Sequence, residues 1–386
     1  MKKTAFSVEV LRCHLIMALV AVFFITPFQT KNRQKAHGAI PVFVLQDANR
    51  PLLSHNGQTL AVMPEVGKVE VYNLITKCKL GTFYVPNAVD YAISADGRQV
   101  AVWGYEITGN DGRHYTSQAI VRVFEIASGK EVERSGEVRE NSGDPIGYLI
   151  ALPGSKNVSS DLKLVANLAP NKDTVPSVIL GNLETNQLIR QFSFGEYVKL
   201  GIRGTVAMTP DARIIAATRS DLFGTTCKQT VVWDVATGKE LLRFPFASVS
   251  VSISDNGQRL AITTPQGKDN MPEIWDIKSG RRISEIGLEF GDSRWFISSG
   301  KLSPDGKLLV TNRKNYLLLW NTDTGKLVAA QKAVDSDDIL RAVSFSGDGR
   351  FLAMSSLGET AAVWRVEDIL RDATVIKTSA LVKILQ

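Results

Sequence analysis

The stretch Ser303-Pro-Asp-Gly-Lys-Leu-Leu-Val310, with Leu317–Trp320 and Asp323-Thr-Gly-Lys326 behind it, contains two hairpin signals in fewer than thirty residues. Asp305-Gly306 between apolar residues is a turn in which both central positions favour positive φ, the strongest short-range hairpin signal. The run ending at Trp320 reads as a strand, and Thr-Gly-Lys as a second tight turn whose glycine takes the left-handed conformation. One such unit therefore predicts four short antiparallel strands.

The unit recurs seven times. Its first turn reappears at Asn56-Gly57, Asp96-Gly97, Asp161-Leu162, Asp211-Ala212, Asn256-Gly257 and Asp348-Gly349, each followed by a hydrophobic pair. Leu162 and Ala212 replace glycine, so those two turns are expected to differ in type. A strand that usually ends in an aromatic follows each copy: Val69–Tyr72, Val121–Phe124, Val178–Gly181, Val231–Trp233, Glu273–Trp275, Leu317–Trp320 and Ala362–Trp364. The aromatic is expected to plug the wedge between neighbouring sheets. Successive anchors are 40, 65, 50, 45, 49 and 43 residues apart. A period of that size with two hairpins per unit predicts an all-β, seven-bladed β-propeller with four antiparallel strands per blade. No helical period separates the strands, which argues against a parallel α/β fold.

Ser303–Val310 and Val231-Val-Trp-Asp-Val-Ala-Thr-Gly-Lys-Glu-Leu241 resemble WD repeats. The resemblance covers roughly residues 40–370. The Trp-Asp pair survives at Trp233-Asp234 and Trp275-Asp276, but the Gly-His pair is absent, so the buried His–Asp–Trp network of that family is not expected. What the resemblance implies is the fold, and a fold does not specify a function.

A ring needs its ends joined, because an open sheet edge invites aggregation. Ile40–Gln46 is expected to be the outermost strand of blade seven, beside Ala361–Val366, in preference to Val375–Leu385. Glu367–Asp372 reads as a short helical exit. The domain reading is residues 1–38 as leader, 39–370 as propeller and 371–386 as tail.

The leader has Lys2, Lys3 and Arg12 ahead of the apolar run Leu15–Phe28. That run is short for a spanning helix and fits a signal peptide or signal anchor. The expected location is therefore exported, periplasmic or extracellular, or anchored at a membrane through residues 15–28. Lys31, Arg33 and Lys35 on the far flank resist translocation. Residues 1–38 hold +5 of the chain's formal charge of +6. The near-neutral body lacks the dense basic footprint of a nucleic-acid binder. Cys78 and Cys227 fall on non-adjacent blades, so no disulfide is expected between them.

Chemistry-bearing patterns are sparse. His55 and His114 are the body's only histidines, and His55 is expected to be a solvated turn residue. No zinc-ligand spacing, phosphate loop or nucleophilic triad is present. Asp335, Asp337 and Asp338 read as a solvated acidic loop, and Asn157-Val-Ser159 matches a glycosylation acceptor. No cofactor or metal is expected. The inner strands offer Asp90, beside Tyr91, as their one titratable group.

Nearly all the insertions fall on a single face of the disc: Gly104–Gln118, Glu131–Ser160, Ala169–Pro176, Arg219–Gln229, Pro265–Pro272 and Gly287–Trp295. Variable loops on a repeating scaffold are where binding residues concentrate. The candidate contacts are Tyr105, His114, Tyr115, Tyr148, Phe223, Lys268 and Trp295, which are types that anchor interfaces. The reading is a non-enzymatic interaction scaffold for a protein or peptide. The alternative is an enzyme with a channel-centred site, of quinoprotein or lactonase type, which would need inward-facing acids or bases.

Overall fold

The computed structural model describes residues 38–110, 115–132, 157–169, 177–185, 187–195, 202–221, 228–248, 250–263, 272–287, 300–313, 315–332, 340–356 and 360–372. These residues form an all-β propeller of seven blades with four antiparallel strand positions each. Blade six is representative: Lys301–Leu302 is innermost, then Leu308–Arg313, Tyr316–Asn321 and, at the rim, Leu327–Lys332. In blade two the outer position is marked by the single bridge Phe124 to Glu131, and in blade three the inner one by Val158 to Val165. Asn157, next to the blade-three bridge, is 6% exposed, so its glycosylation motif is not presented at the surface.

Phe43–Leu45 pairs antiparallel with Ala361–Arg365, with Phe43 opposite Val363. The N-terminal strand therefore occupies the outer place of blade seven, as expected from edge protection. The helix Val366–Asp372 follows as the predicted exit. Val375–Leu385 lies outside the described residues, as does Cys227, while Cys78 is half-buried in the outer turn of blade one.

Seven hydrophobic clusters fill the seven wedges between consecutive blades. The recurring aromatic packs back against the preceding blade, Trp233 towards blade three, Trp320 towards blade five and Trp364 towards blade six. Blade three departs from the pattern: Gly181 stands opposite Val165, where Trp320 stands opposite Leu309 in blade six.

The inner turns share one hydrogen-bond design. Two residues before each Asp or Asn is a serine or threonine: Ser54, Ser94, Ser159, Thr209, Ser254, Ser303 and Ser346. Ser303 is typical: its hydroxyl donates to Asp305 Oδ1 at 2.7 Å and accepts Leu308 N–H at 2.9 Å. Asp305 Oδ1 also accepts Lys307 N–H at 3.0 Å. A hydroxyl and a carboxylate thus satisfy the amides that a tight turn leaves unpaired. The hydrogen bond from Ser94 does the same in blade two and holds the Asp96 carboxyl below its ordinary range.

The expected difference in turn type is overturned. Leu162 and Ala212 have φ of 60° and 55°, close to the 76° of Gly306, and their turns carry the same hydrogen bonds. Two L-residues hold a conformation that costs them on the order of 1 kcal/mol. For Leu162 the offset is burial, at 3% exposed, in the wedge between blades two and three. Ala212 has only a methyl to bury. Ala212→Gly is expected to raise stability by about 0.5 kcal/mol, strain relief exceeding the added freedom of the unfolded chain. Gly257→Ala should do the opposite, because its φ is 70° and its Cβ would meet Ile214 Cδ1 at 2.9 Å. Urea midpoints for the two variants check the pair of signs.

Candidate functional site

Strand order assigns the two faces of the disc. The first and third hairpin connections of each blade lie on one face, and the second connections and blade crossings on the other. The second face is that of the expected site. The segment expected to be a loop, Gly104–Gln118, is instead largely sheet: Gln99–Asn110 and Tyr115–Glu125 form one continuous ribbon. At 12 residues, the first of these exceeds the 7 of its counterpart Thr59–Glu65 in blade one. Five residues of strand rise about 15 Å, so blade two projects from this face. Tyr105 pairs with Ala119, and Tyr115 with Asn110. Because residues 115, 117 and 119 alternate evenly, the register places Tyr105, Ile107 and Tyr115 at positions on one side of the ribbon. The remaining candidates, His114, Tyr148, Phe223, Lys268 and Trp295, lie outside the described residues, as does the acidic run at 335–338.

The channel candidate Asp90 is 1% exposed. Its Oδ1 lies 3.7 Å from Arg50 Nη1 and accepts Tyr91 N–H at 3.0 Å. Tyr91 is enclosed as well, its hydroxyl donating to the carbonyls of Arg50 and Ala61. Burial, with the Asp90 charge beside it, drives the Tyr91 phenol far above its ordinary range. Asp90 is thus a buried carboxylate at the junction of blades one and two, beside an Arg50 side chain that is 41% exposed. Among the described residues no cluster of three or more His, Cys, Asp or Glu side chains could hold a metal.

The opposite mouth of the channel is rimmed by the tips of the seven inner turns: His55, Ala95, Ser160, Pro210, Asp255, Pro304 and Gly347. Backbone bonds link neighbouring turns, including Asp348 N–H to His55 O at 2.9 Å, Asn56 N–H to Ala95 O at 3.1 Å and Ser160 N–H to Pro210 O at 2.8 Å. Pro210 and Pro304 have no N–H, so they accept only. His55 is exposed, as expected of a turn tip, yet its Nδ1 lies 3.9 Å from Asp255 Oδ2. The serines, the rim bonds and this pair were not read from the sequence. The serine was legible, as a hydroxyl at a fixed offset from all seven anchors.

A chain in the crystal structure of the mitotic checkpoint complex has a similar fold, with a TM-score of 0.57 at 15% identity over 90% of this chain and 98% of that one. At that identity the likeness is one of fold. No family profile matches the chain, and no curated protein matches it. Among the described residues no helix is long and apolar enough to cross a membrane.

Proposed function

We propose that this chain is a non-enzymatic scaffold, exported or held at a membrane by residues 1–38, which grips a protein or peptide partner with the long-loop face of blades two to five. The observation that supports the reading is the blade-two ribbon, whose register pairs Tyr105 with Ala119 and Asn110 with Tyr115 beyond the length of the blade-one strands. Aromatic anchors on preorganised backbone are what interface hot spots require. Among the described residues, the inner turns of the short-turn face cap their own amides with serine hydroxyls and carboxylates. The rival enzyme reading needs an available channel acid or base, and the burial of Asp90 beside Arg50 supports the scaffold instead.

The test is affinity capture with the full chain from membrane and soluble fractions, with N-terminal sequencing of the bait. Tyr105→Ala/Tyr115→Ala is expected to reduce partner recovery by about tenfold or more, and Lys163→Ala on the short-turn face to leave it unchanged. Equal recovery from both variants would refute the binding face. A chain recovered from soluble cytosol starting at Met1 would refute export.

A further inference from the structure

We propose that His55 and Asp255 form a protonation-dependent ion pair across the short-turn mouth of the channel, tighter in acid than at neutral pH. Blades one and five stand three blades apart, as far as a ring of seven allows, yet these two tip side chains meet at 3.9 Å.

Two further observations show that the mouth is arranged around it. Gly347, the tip of blade seven, does not have the positive φ that usually calls for glycine. A Cβ there would overlap the His55 imidazole, so the missing side chain is the seat on which the ring lies. The second observation is the charge pattern of the turns. Five anchors are aspartates with a basic residue two positions on: Asp96 with Arg98, Asp161 with Lys163, Asp211 with Arg213, Asp305 with Lys307, and Asp348 with Arg350. The other two are Asn56 with Gln58 and Asn256 with Gln258, in the two turns that supply His55 and Asp255. Their amides donate to the next blade, Asn56 Nδ2 to Asp96 O at 2.8 Å and Asn256 Nδ2 to Asp305 O at 3.2 Å. Where the tip is charged, the turn beneath it is neutral.

Among the described residues, few charges act on the pair. Lys301 on blade six and Asp211 on blade four act on Asp255 with opposite sign. Beside His55, Asp348 is already held by Arg350 at 2.7 Å. Burial raises the Asp255 carboxyl above its ordinary range, against the pull of Lys301 and His55. A desolvated carboxylate gains most from a nearby cation, and His55 Nδ1 is the ring atom that faces it.

The test is hydrogen exchange of the full chain at about pH 5.5 and about pH 8, corrected for intrinsic rates, read at the turn amides 54–58, 254–258 and 346–350. Acid is expected to raise their protection about threefold, the size of an exposed ion pair. In His55→Gln and in Asp255→Asn that acid gain should vanish, while the outer-turn amides 323–326 behave as in the parent. The pH ratio within each variant cancels any global change in stability. An acid gain that survives in both variants, or that is absent from the parent chain, overturns the proposal.

Discussion

A chain starting at Asp47 is expected to lose on the order of 5 kcal/mol of stability, loosening blade seven from blade six and from blade one. The loss is large because the segment removed is wired into buried polar groups. Ala39 N–H donates to Gln331 Oε1 at 2.7 Å, and Ala39 O accepts from Trp364 Nε1 and Gln331 Nε2, both at 3.2 Å. Trp364 is fully buried and Gln331 is 4% exposed. Each partner left unsatisfied costs about 1–3 kcal/mol, and uncovering the wedge around Phe43 adds about 2 kcal/mol. The free edge of Ala361–Arg365 would then be exposed to a second copy. Denaturant unfolding followed by circular dichroism, with light scattering for association, measures both effects. A chain ending at Asp372 is the companion. The place beside Ala361–Arg365 is already filled by Phe43–Leu45, so this cut should cost less than about 1 kcal/mol. If the two truncations exchange these outcomes, the C-terminal segment closes the ring.

Closure was legible because the apolar run Ile40–Gln46 precedes every inner turn, and an orphan strand at one end of a ring is best placed at its open edge. The blades were legible because seven anchors repeat a turn that few residue types can make. What failed to show is physically distinct. Leu162 and Ala212 were read as signs of another turn, since propensity says nothing of a left-handed residue held by a serine hydroxyl and a buried wedge. Gly104–Gln118 looked like a loop because it is an insertion relative to the repeat, whereas most of it continues the sheet, with a register shift between Ile107 and Gly109. His55 and Asp255, 200 positions apart, share no local pattern at all. Of the candidate partner-binding residues, only Tyr105 and Tyr115 fall on described backbone, and their spacing across a hairpin becomes meaningful only once the register is known.

Trp320→Ala is expected to destabilise the propeller by about 3–5 kcal/mol, the range for deleting a buried aromatic. Trp320 is 1% exposed in the wedge between blades five and six, and its Nε1–H donates to the buried Thr311 Oγ1 at 2.8 Å. Alanine leaves both a void and a hydroxyl without its donor. Trp275 holds the same place in blade five but is only partly buried and bonds the Glu273 carboxylate at 3.0 Å. Its truncation should cost about 1–2 kcal/mol, because water can reach the site. Blade three supplies the control, since Gly181 has no plug to remove. There Leu162 enters the wedge from the turn instead, and Leu162→Ala should cost about 2–3 kcal/mol, the left-handed strain remaining in place. The order Trp320, then Leu162, then Trp275, read from urea midpoints at constant slope, follows from burial alone. A Trp275 loss equal to that of Trp320 would mean that aromatic identity, not wedge filling, holds adjacent blades together.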